Sequence, residues 1–413
     1  MNKASPRRVS IVGGALSANK GAAAMVETVI EKLPSVLGPC EFSLLTTYPE
    51  ADTSKVPVSS PVHVVGLQPL RLALVEFPVA ILARCARLVR LPLGWVRTRG
   101  CRAMLDSDVV VDVAGISFAD GRGVPIVMYN SIMTGVPLLL GVPTVKAAQA
   151  LGPFESPVNK VMSRLVLPRV TAICARGART REHLNSLGLR NVTDVADLAF
   201  SLDEATTLSP SVSRGLDVVG QGFIVVMPSA VVRGIYESQG GHYVDAIAAL
   251  VRSLRSATDR GVVIAPHSYR VGHGEGRMND GPVCREVGAA LADDAGVVVI
   301  DEDLSAGELR KLIGSGSVLV TSRFHAMISG LCTATPTVVV GWSHKYREVL
   351  DDFGLVDFGM DSQVLNTPDV VVSKVVDALA NEKKYSDQIR SILPSVRQRS
   401  ALNFEVIAGA VRR

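Results

Sequence analysis

The sequence predicts an α/β protein of two Rossmann-like halves, each built on a parallel sheet. Three observations predict it. Short apolar runs alternate with helix-period segments along most of the 413 residues. The runs are continuous, as in "VVVD" (109–112), "GFIVVM" (222–227) and "GVVVID" (296–301), which marks strands buried on both faces. The alternation stops over 203–221, a stretch rich in Ser, Thr, Pro and Gly, and then restarts. The expected division is an N-terminal domain over 1–205, a C-terminal domain over 218–395 and a terminal helix over 396–413. Ligand is expected between the halves, at the carboxyl ends of the strands.

Each element has a local reason. Residues 9–13 form a first short apolar strand. Residues 21–33 have helical periodicity and stop at Pro34. Strands follow at 41–46, 62–65 and within "DSDVVVDVAG" (106–115), which ends on Gly115. "VPIVMYNS" reads as loop or helix, and "VPTVKAAQALGPF" carries a strand that runs out at Gly152 and Pro153. "VTAICARG" is a strand, and 180–187 is a helix. Beyond 221, strands are expected in "GFIVVMPS", "GVVIAPHS", "GVVVID", "SVLVT" and "TPTVVVGW". Helices are expected at 242–257, in "GPVCREVGAALAD" and "SAGELRKLIGSG", at 368–380 and 384–393, and separately at 401–411.

Composition excludes several classes. The chain is 47% hydrophobic and 20% charged, which is globular. A net charge of +4, few aromatics and no RNP-like, helix-turn-helix or zinc-finger spacing argue against nucleic acid as a partner. The six cysteines stand singly, with no C-x-x-C and no zinc spacing. They read as buried free thiols in a reducing cytoplasm. Residues 1–8 are polar and basic and lack the apolar core of a signal peptide. Residues 69–97 are apolar, but Arg71, Glu76, Arg84, Arg87 and Arg90 interrupt them, so no clean transmembrane span exists. Arg84, Arg87 and Arg90 recur every three residues as one basic stripe. That pattern fits a surface helix with its leucine, isoleucine and valine packed inward. It also fits peripheral contact with anionic lipid at the inner face of a membrane.

"GGALSANKGAAA" (13–24) resembles a P-loop, but the pattern needs glycine at 19 and serine or threonine at 21. The chain has Asn19, Lys20 and Gly21. The stretch reads instead as a strand-to-helix turn, with Asn19 and Lys20 as donors at a helix start. The strongest signal for chemistry is "TSRFHA" (321–326), between a strand and a helix. Ser322, Arg323 and His325 would meet the free amides of a helix N-terminus there, a natural anion site. Arg323 offers a planar fork, and His325 a proton near neutral pH. Two further strand exits carry His344 with Lys345, and His267, Arg270, His273, Asn279 and Asp280. In the first half, Asp112, Gly115, Ser117, Asp120, Gln149 and Arg176 end or follow strands. Asp112 or Asp120 could orient sugar hydroxyls or act as a base. The acids at 301–303 read as charges favouring a helix N-terminus. No G-x-S-x-G elbow and no H-E-x-x-H are present.

Taken together, "GGALSANKGAAAM", "DVVVDVAGISFADG", "QALGPF", "CARGARTREHLNSLGL", "VADLAF", "LSAGELRKLIGSGSVLVTSRFHAMISGLCTATPTVVV" and "GWSHKYREVL" resemble, in order, the motifs of the polysaccharide pyruvyl transferase family. Two motifs depart from it. Alanines 22–24 stand where an acid is common, and Ala114 replaces the first of two glycines. The resemblance implies a GT-B-like fold and transfer of the enolpyruvyl carbons of phosphoenolpyruvate to two hydroxyls of one sugar. The product is a cyclic ketal on a cell-surface glycan or its precursor, and phosphate is released. Under it, Ser322, Arg323, His344, Lys345 and His267 bind the donor, and His325 is the general acid. Asn19, Lys20, Asp112, Asp120, Gln149 and Arg176 face the acceptor. No metal or cofactor is required. Two other readings of the same residues are a nucleotide-sugar glycosyltransferase and a non-catalytic glycan-binding relative.

Overall fold

A computed structural model describes residues 5–270, 276, 278–341 and 344–411. His273 lies outside the described residues. The chain divides into two units. Residues 1–17, 22–202 and 397–413 form the first, and residues 18–21 and 203–396 the second.

The first unit has strands β1 (Arg7–Val12), β2 (Cys40–Thr46), β3 (Val62–Gly66), β4 (Val109–Asp112), β5 (Ile116–Ser117), β6 (Thr144–Leu151), β7 (Ala172–Arg176) and β8 (Val192–Val195). They form one parallel sheet in the order β3-β2-β1-β4-β6-β7-β8, with β5 beside β6. Both faces are covered, which is why β4 and the inner parts of β1, β2 and β7 are mostly apolar. One cluster packs Met25, Val26 and Val29 of the first helix with Phe404 and Ile407 of the last helix. Another packs Ala80, Ala83, Met104, Met133 and Val136. The second unit has β9 (Ile224–Met227), β10 (Val262–Ile264), β11 (Val297–Val299), β12 (Val318–Thr321), β13 (Thr337–Val340) and β14 (Gly359–Met360). All are parallel, in the order β11-β10-β9-β12-β13-β14.

Four local expectations are corrected. The stretch 203–221 is not all linker, because Pro210–Val219 is a helix capped by Ser209, with Val212 and Val219 in the core. The helices expected at 384–393 and 401–411 are one helix, Glu382–Ala410, running through Pro394. Ser386 on its early part donates to Ala334 O within the second unit, and Ser400 donates to Asp197 O within the first. The acids at 301–303 do not serve the start of the helix that follows them. The helix Ala306–Ser315 has its own capping box, Ser305 with Glu308. Asp301 instead accepts from Arg285 and Tyr269, and Glu302 from Ser209.

Residues 69–91 also differ from the expectation of large apolar side chains packed inward. They form helix Pro69–Arg71, a π-helical turn Leu72–Glu76 and helix Phe77–Leu88. The buried seam of the last helix is Ala80, Ala83 and Ala86, and Ile81, Leu82 and Leu88 face out. The reason is packing space. The inner layer already holds Leu67, Leu72, Met133, Val136 and Leu140, and small residues let the helix lie close on them. Arg87 leaves the supposed stripe, because its Nη1 donates to Leu140 O (2.5 Å) at the end of helix Val124–Leu140. Five cysteines are buried as expected, and Cys85 on this helix is exposed.

Candidate functional site

In the second sheet the strand order reverses between β9 and β12, and loops at such a point form the usual ligand crevice of an open α/β sheet. The chemistry-bearing residues collect there. Asp280, fully buried at the start of helix Gly281–Ala290, is the hub. It accepts from Ala230 N (2.8 Å) after β9, from Ser268 N (2.9 Å) after β10, and from Arg323 after β12. Arg323 gives Nε at 2.8 Å and Nη2 to the two oxygens, a bidentate fork that fixes the guanidinium plane. Burial works against the charge of Arg323, and Asp280 outweighs that burial.

Ser322 is held as structure. Its amide donates to Met227 O (3.1 Å), its carbonyl accepts from Tyr346 Oη (3.1 Å), and its hydroxyl lies 3.5 Å from Tyr243 Oη. Burial pushes both tyrosines up to about 12, so they remain neutral donors. Phe324 begins the next helix and packs edge-on against His325 and Tyr346, with ring centroids 5.2 and 5.5 Å apart. The ammonium of Lys345 sits 4.9 Å from the Phe324 ring centre, a cation–π contact that places it beside the same turn. His344 opens the helix that carries Lys345.

His267, at the exit of β10, is buried. Burial first, and then the charges of His325, Arg323, Lys20 and Arg310, push its pKa well below the ordinary histidine value. The charges acting most strongly on it are all basic.

The loop after β1 contributes to this cluster. Residues 18–21 belong to the second unit. Lys20, expected on the acceptor side, is buried in an ion pair with Asp303. Asn19 caps the helix start by accepting from Gly21 N (2.8 Å). Gly21 lies so close to His325 that a Cβ would overlap the imidazole Nδ1. A side chain there would displace His325.

The polar residues of the first unit are joined to one another. β6 contains a bulge between Lys146 and Gln149, with Ala148 at φ +48°. Three residues along a regular strand would point to opposite faces, and the bulge turns both side chains the same way. Lys146 Nζ, fully buried, donates to Asp112 Oδ2 (2.6 Å), Gln149 Oε1 (3.2 Å) and Ser117 Oγ (3.3 Å). Gln149 Nε2 donates to Asp112 O (2.7 Å), and Ser117 Oγ to Gln149 Oε1 (2.5 Å). Gly13, at φ +79°, lacks the Cβ that would strike Asp112 Oδ1. Arg176 pairs with Asp197 and donates to Gly115 O (2.8 Å). Asp120 accepts from Glu155 N, Ser156 N, Ser156 Oγ and Asn159, stitching the entry of helix Pro157–Val166. Partial burial opposes the Asp120 charge, and these donors outweigh it and lower its pKa. Neither Asp112 nor Asp120 is therefore placed as an open base.

Two residues outside the sequence motifs nevertheless leave a signal in the sequence. Lys146 interrupts an otherwise buried strand. Arg310 falls on the apolar stripe Ala306, Leu309, Ile313 of its helix and is buried there. Charges on buried faces need partners. Asp303, marked in the sequence only as one of three consecutive acids, is the partner of Lys20. Among the described residues no three His, Cys, Asp or Glu side chains gather as a metal site.

A family model described as polysaccharide pyruvyl transferase matches residues 19–344. The amylovoran biosynthesis protein AmsJ of Erwinia amylovora is 21% identical over 286 residues, covering 68% of each chain. Among solved structures, the UDP-GlcNAc 2-epimerase of Neisseria meningitidis superposes with a TM-score of 0.62 at 10% identity, covering 98% of this chain and 100% of that one. A UDP-glucosyltransferase from Polygonum tinctorium gives 0.57 at 10% identity, covering 99% of each. Both are GT-B folds of two parallel-sheet domains, and the likeness extends to fold alone.

Two outcomes follow from this geometry. Lys146→Met strands a buried carboxylate and should lower unfolding stability by about 3 to 5 kcal/mol in urea, with Asp112→Asn added to it recovering part of the loss. His267 is neutral in the fold and titrates normally when unfolded. The unfolded chain therefore binds the extra proton below about pH 6.5, and stability falls as pH drops through that point. The limiting slope is about 1.4 kcal/mol per pH unit, and His267→Gln should flatten it in urea melts taken between pH 5 and 7.

Proposed function

Because the chain belongs to the polysaccharide pyruvyl transferase family, we propose that it moves the carbons of phosphoenolpyruvate onto a sugar of a cell-surface glycan or its precursor. The observation that carries this reading is the basic cluster at the exits of β10, β12 and β13: Arg323 fixed by Asp280, His325, Lys345, and a His267 kept neutral by burial and by its basic neighbours. Phosphoenolpyruvate is a small trianion, and a planar guanidinium beside a helix N-terminus suits it. Ser322 shapes the turn, and the side chain of His344 lies outside the described residues.

In the proposed reaction His325 delivers a proton to the methylene carbon. C2 becomes cation-like, and the first sugar hydroxyl oxygen bonds to it. The C2–O bond to phosphate then breaks, and the second hydroxyl oxygen closes the ketal. Of the two hydroxyl protons, one replaces the proton given by His325 and the other leaves on hydrogen phosphate. Charge and atoms balance without a metal or cofactor. In the first unit, Asp112, Gln149 and Arg176 serve the acceptor indirectly, by holding the strand exits whose loops would meet the sugar.

His325→Ala should abolish phosphate release from phosphoenolpyruvate in the presence of acceptor while circular dichroism stays unchanged. Full turnover by that variant would remove His325 from the acid role. Arg323→Ala should weaken phosphoenolpyruvate binding by about 2 kcal/mol or more in calorimetry, the scale of a lost charged partner. Arg323→Lys keeps the charge without the fork, and should recover only part of that affinity.

A further inference from the structure

The helical segment Pro69–Leu88 and the turn after it present large apolar side chains outward. Leu74 is 72% exposed, Leu82 58%, Leu88 68% and Trp95 45%. The inward seam is alanine. A helix built only to cover a core would carry these residues on the other side. The exposed charge on this segment has one sign. Between residues 67 and 99 the only acid is Glu76. It is buried and accepts from Arg71 Nε (3.2 Å) and from Cys101 N (2.8 Å). Arg84, Arg90 and Arg97 are exposed. The buried Glu76 also ties the π-helical turn to the start of helix Arg99–Leu105, so the segment is anchored at that turn.

We infer that this face is a docking surface for an anionic lipid bilayer, lying in the plane of the interface. Leucines would enter the boundary between headgroups and acyl chains, Trp95 would sit at headgroup level, and the arginines would meet lipid phosphates. Charge selects this occupant over a second copy of the chain. A two-fold dimer would set the segment against itself, opposing arginine to arginine with no exposed acid of the segment to pair with them. No helix among the described residues is long and apolar enough to cross a membrane, so the contact is peripheral. The inference stands apart from the pyruvyl transfer reading and needs neither donor nor acceptor.

The test is flotation of the full chain with vesicles of phosphatidylcholine containing phosphatidylglycerol, beside vesicles of phosphatidylcholine alone. The protein should float with the anionic vesicles at low salt and detach as salt rises. Leu82→Glu with Leu88→Glu, both at exposed positions, should reduce vesicle binding by roughly tenfold or more. Arg84→Glu with Arg90→Glu should reduce binding to anionic vesicles by about tenfold and leave the weak binding to neutral ones unchanged. Cys85 is the one exposed thiol of the six and lies on this helix, so a polarity-sensitive dye attached there should shift to the blue on anionic vesicles. Absence of flotation at low salt, equal flotation of the leucine variant, or an unshifted dye would overturn the inference. So would a dimer in light scattering that the leucine variant dissociates while vesicles stay unbound.

Discussion

The second unit is organised around one buried carboxylate. Moving an ion the size of the Asp280 side chain out of water costs several kcal/mol even after relaxation. Two backbone amides and a bidentate arginine offset that cost. Because those partners come from the exits of β9, β10 and β12, the carboxylate joins three loops that the sheet alone leaves independent. Arg323 is thereby fixed before any ligand arrives, which lowers the ordering cost of binding. His325 lies two residues on, in the first turn of the helix that Arg323 opens, and inherits its position from the same contact.

The first unit uses similar chemistry to a different end. Lys146 and Asp112 form a fully buried pair, with Gln149 and Ser117 satisfying the remaining valences. The bulge at Ala148 makes this closure geometrically available. Here the polar groups are spent on one another. In the second unit the arginine is oriented by its partner and still belongs to a cluster of bases. Both kinds of residue occur as polar letters at the end of an apolar run. Their sequence signatures are identical, and only the partners across the sheet separate a loop fastener from a ligand contact.

That distinction marks how far the sequence was legible. Most strands are readable because both faces of each sheet are covered, so short runs of valine and isoleucine mark them. The turn "TSRFHA" was readable because a strand, a fork-shaped cation and a titratable ring meet within six residues. Asp280 was visible only as one polar residue in a loop, since its significance lies in Arg323, forty-three positions away in the chain. Lys20 was read with the wrong half because its partner, Asp303, is separated from it by nearly three hundred residues. The helix at 77–88 was misread for another reason. Periodicity reports that apolar residues share a face, but not which way that face turns. Alanine is apolar too, and it took the inner seam.

The opening loop shows what such long-range constraints do to a motif. A glycine-rich turn with a lysine before a helix suggests phosphate held by backbone amides, with the lysine as counter-charge. Here Gly13 admits the Asp112 carboxylate, and Gly21 makes room for the imidazole of His325. The lysine between them is bound to Asp303. Each feature that favours a P-loop is thus accounted for by a contact within the protein, and the hydroxyl that would hold a magnesium ion is replaced by the hydrogen of a glycine. The absence of a side chain at 21 is then a steric requirement set by His325. The residue at the start of the helix that begins at Lys20 is constrained by chemistry some three hundred positions later in the chain.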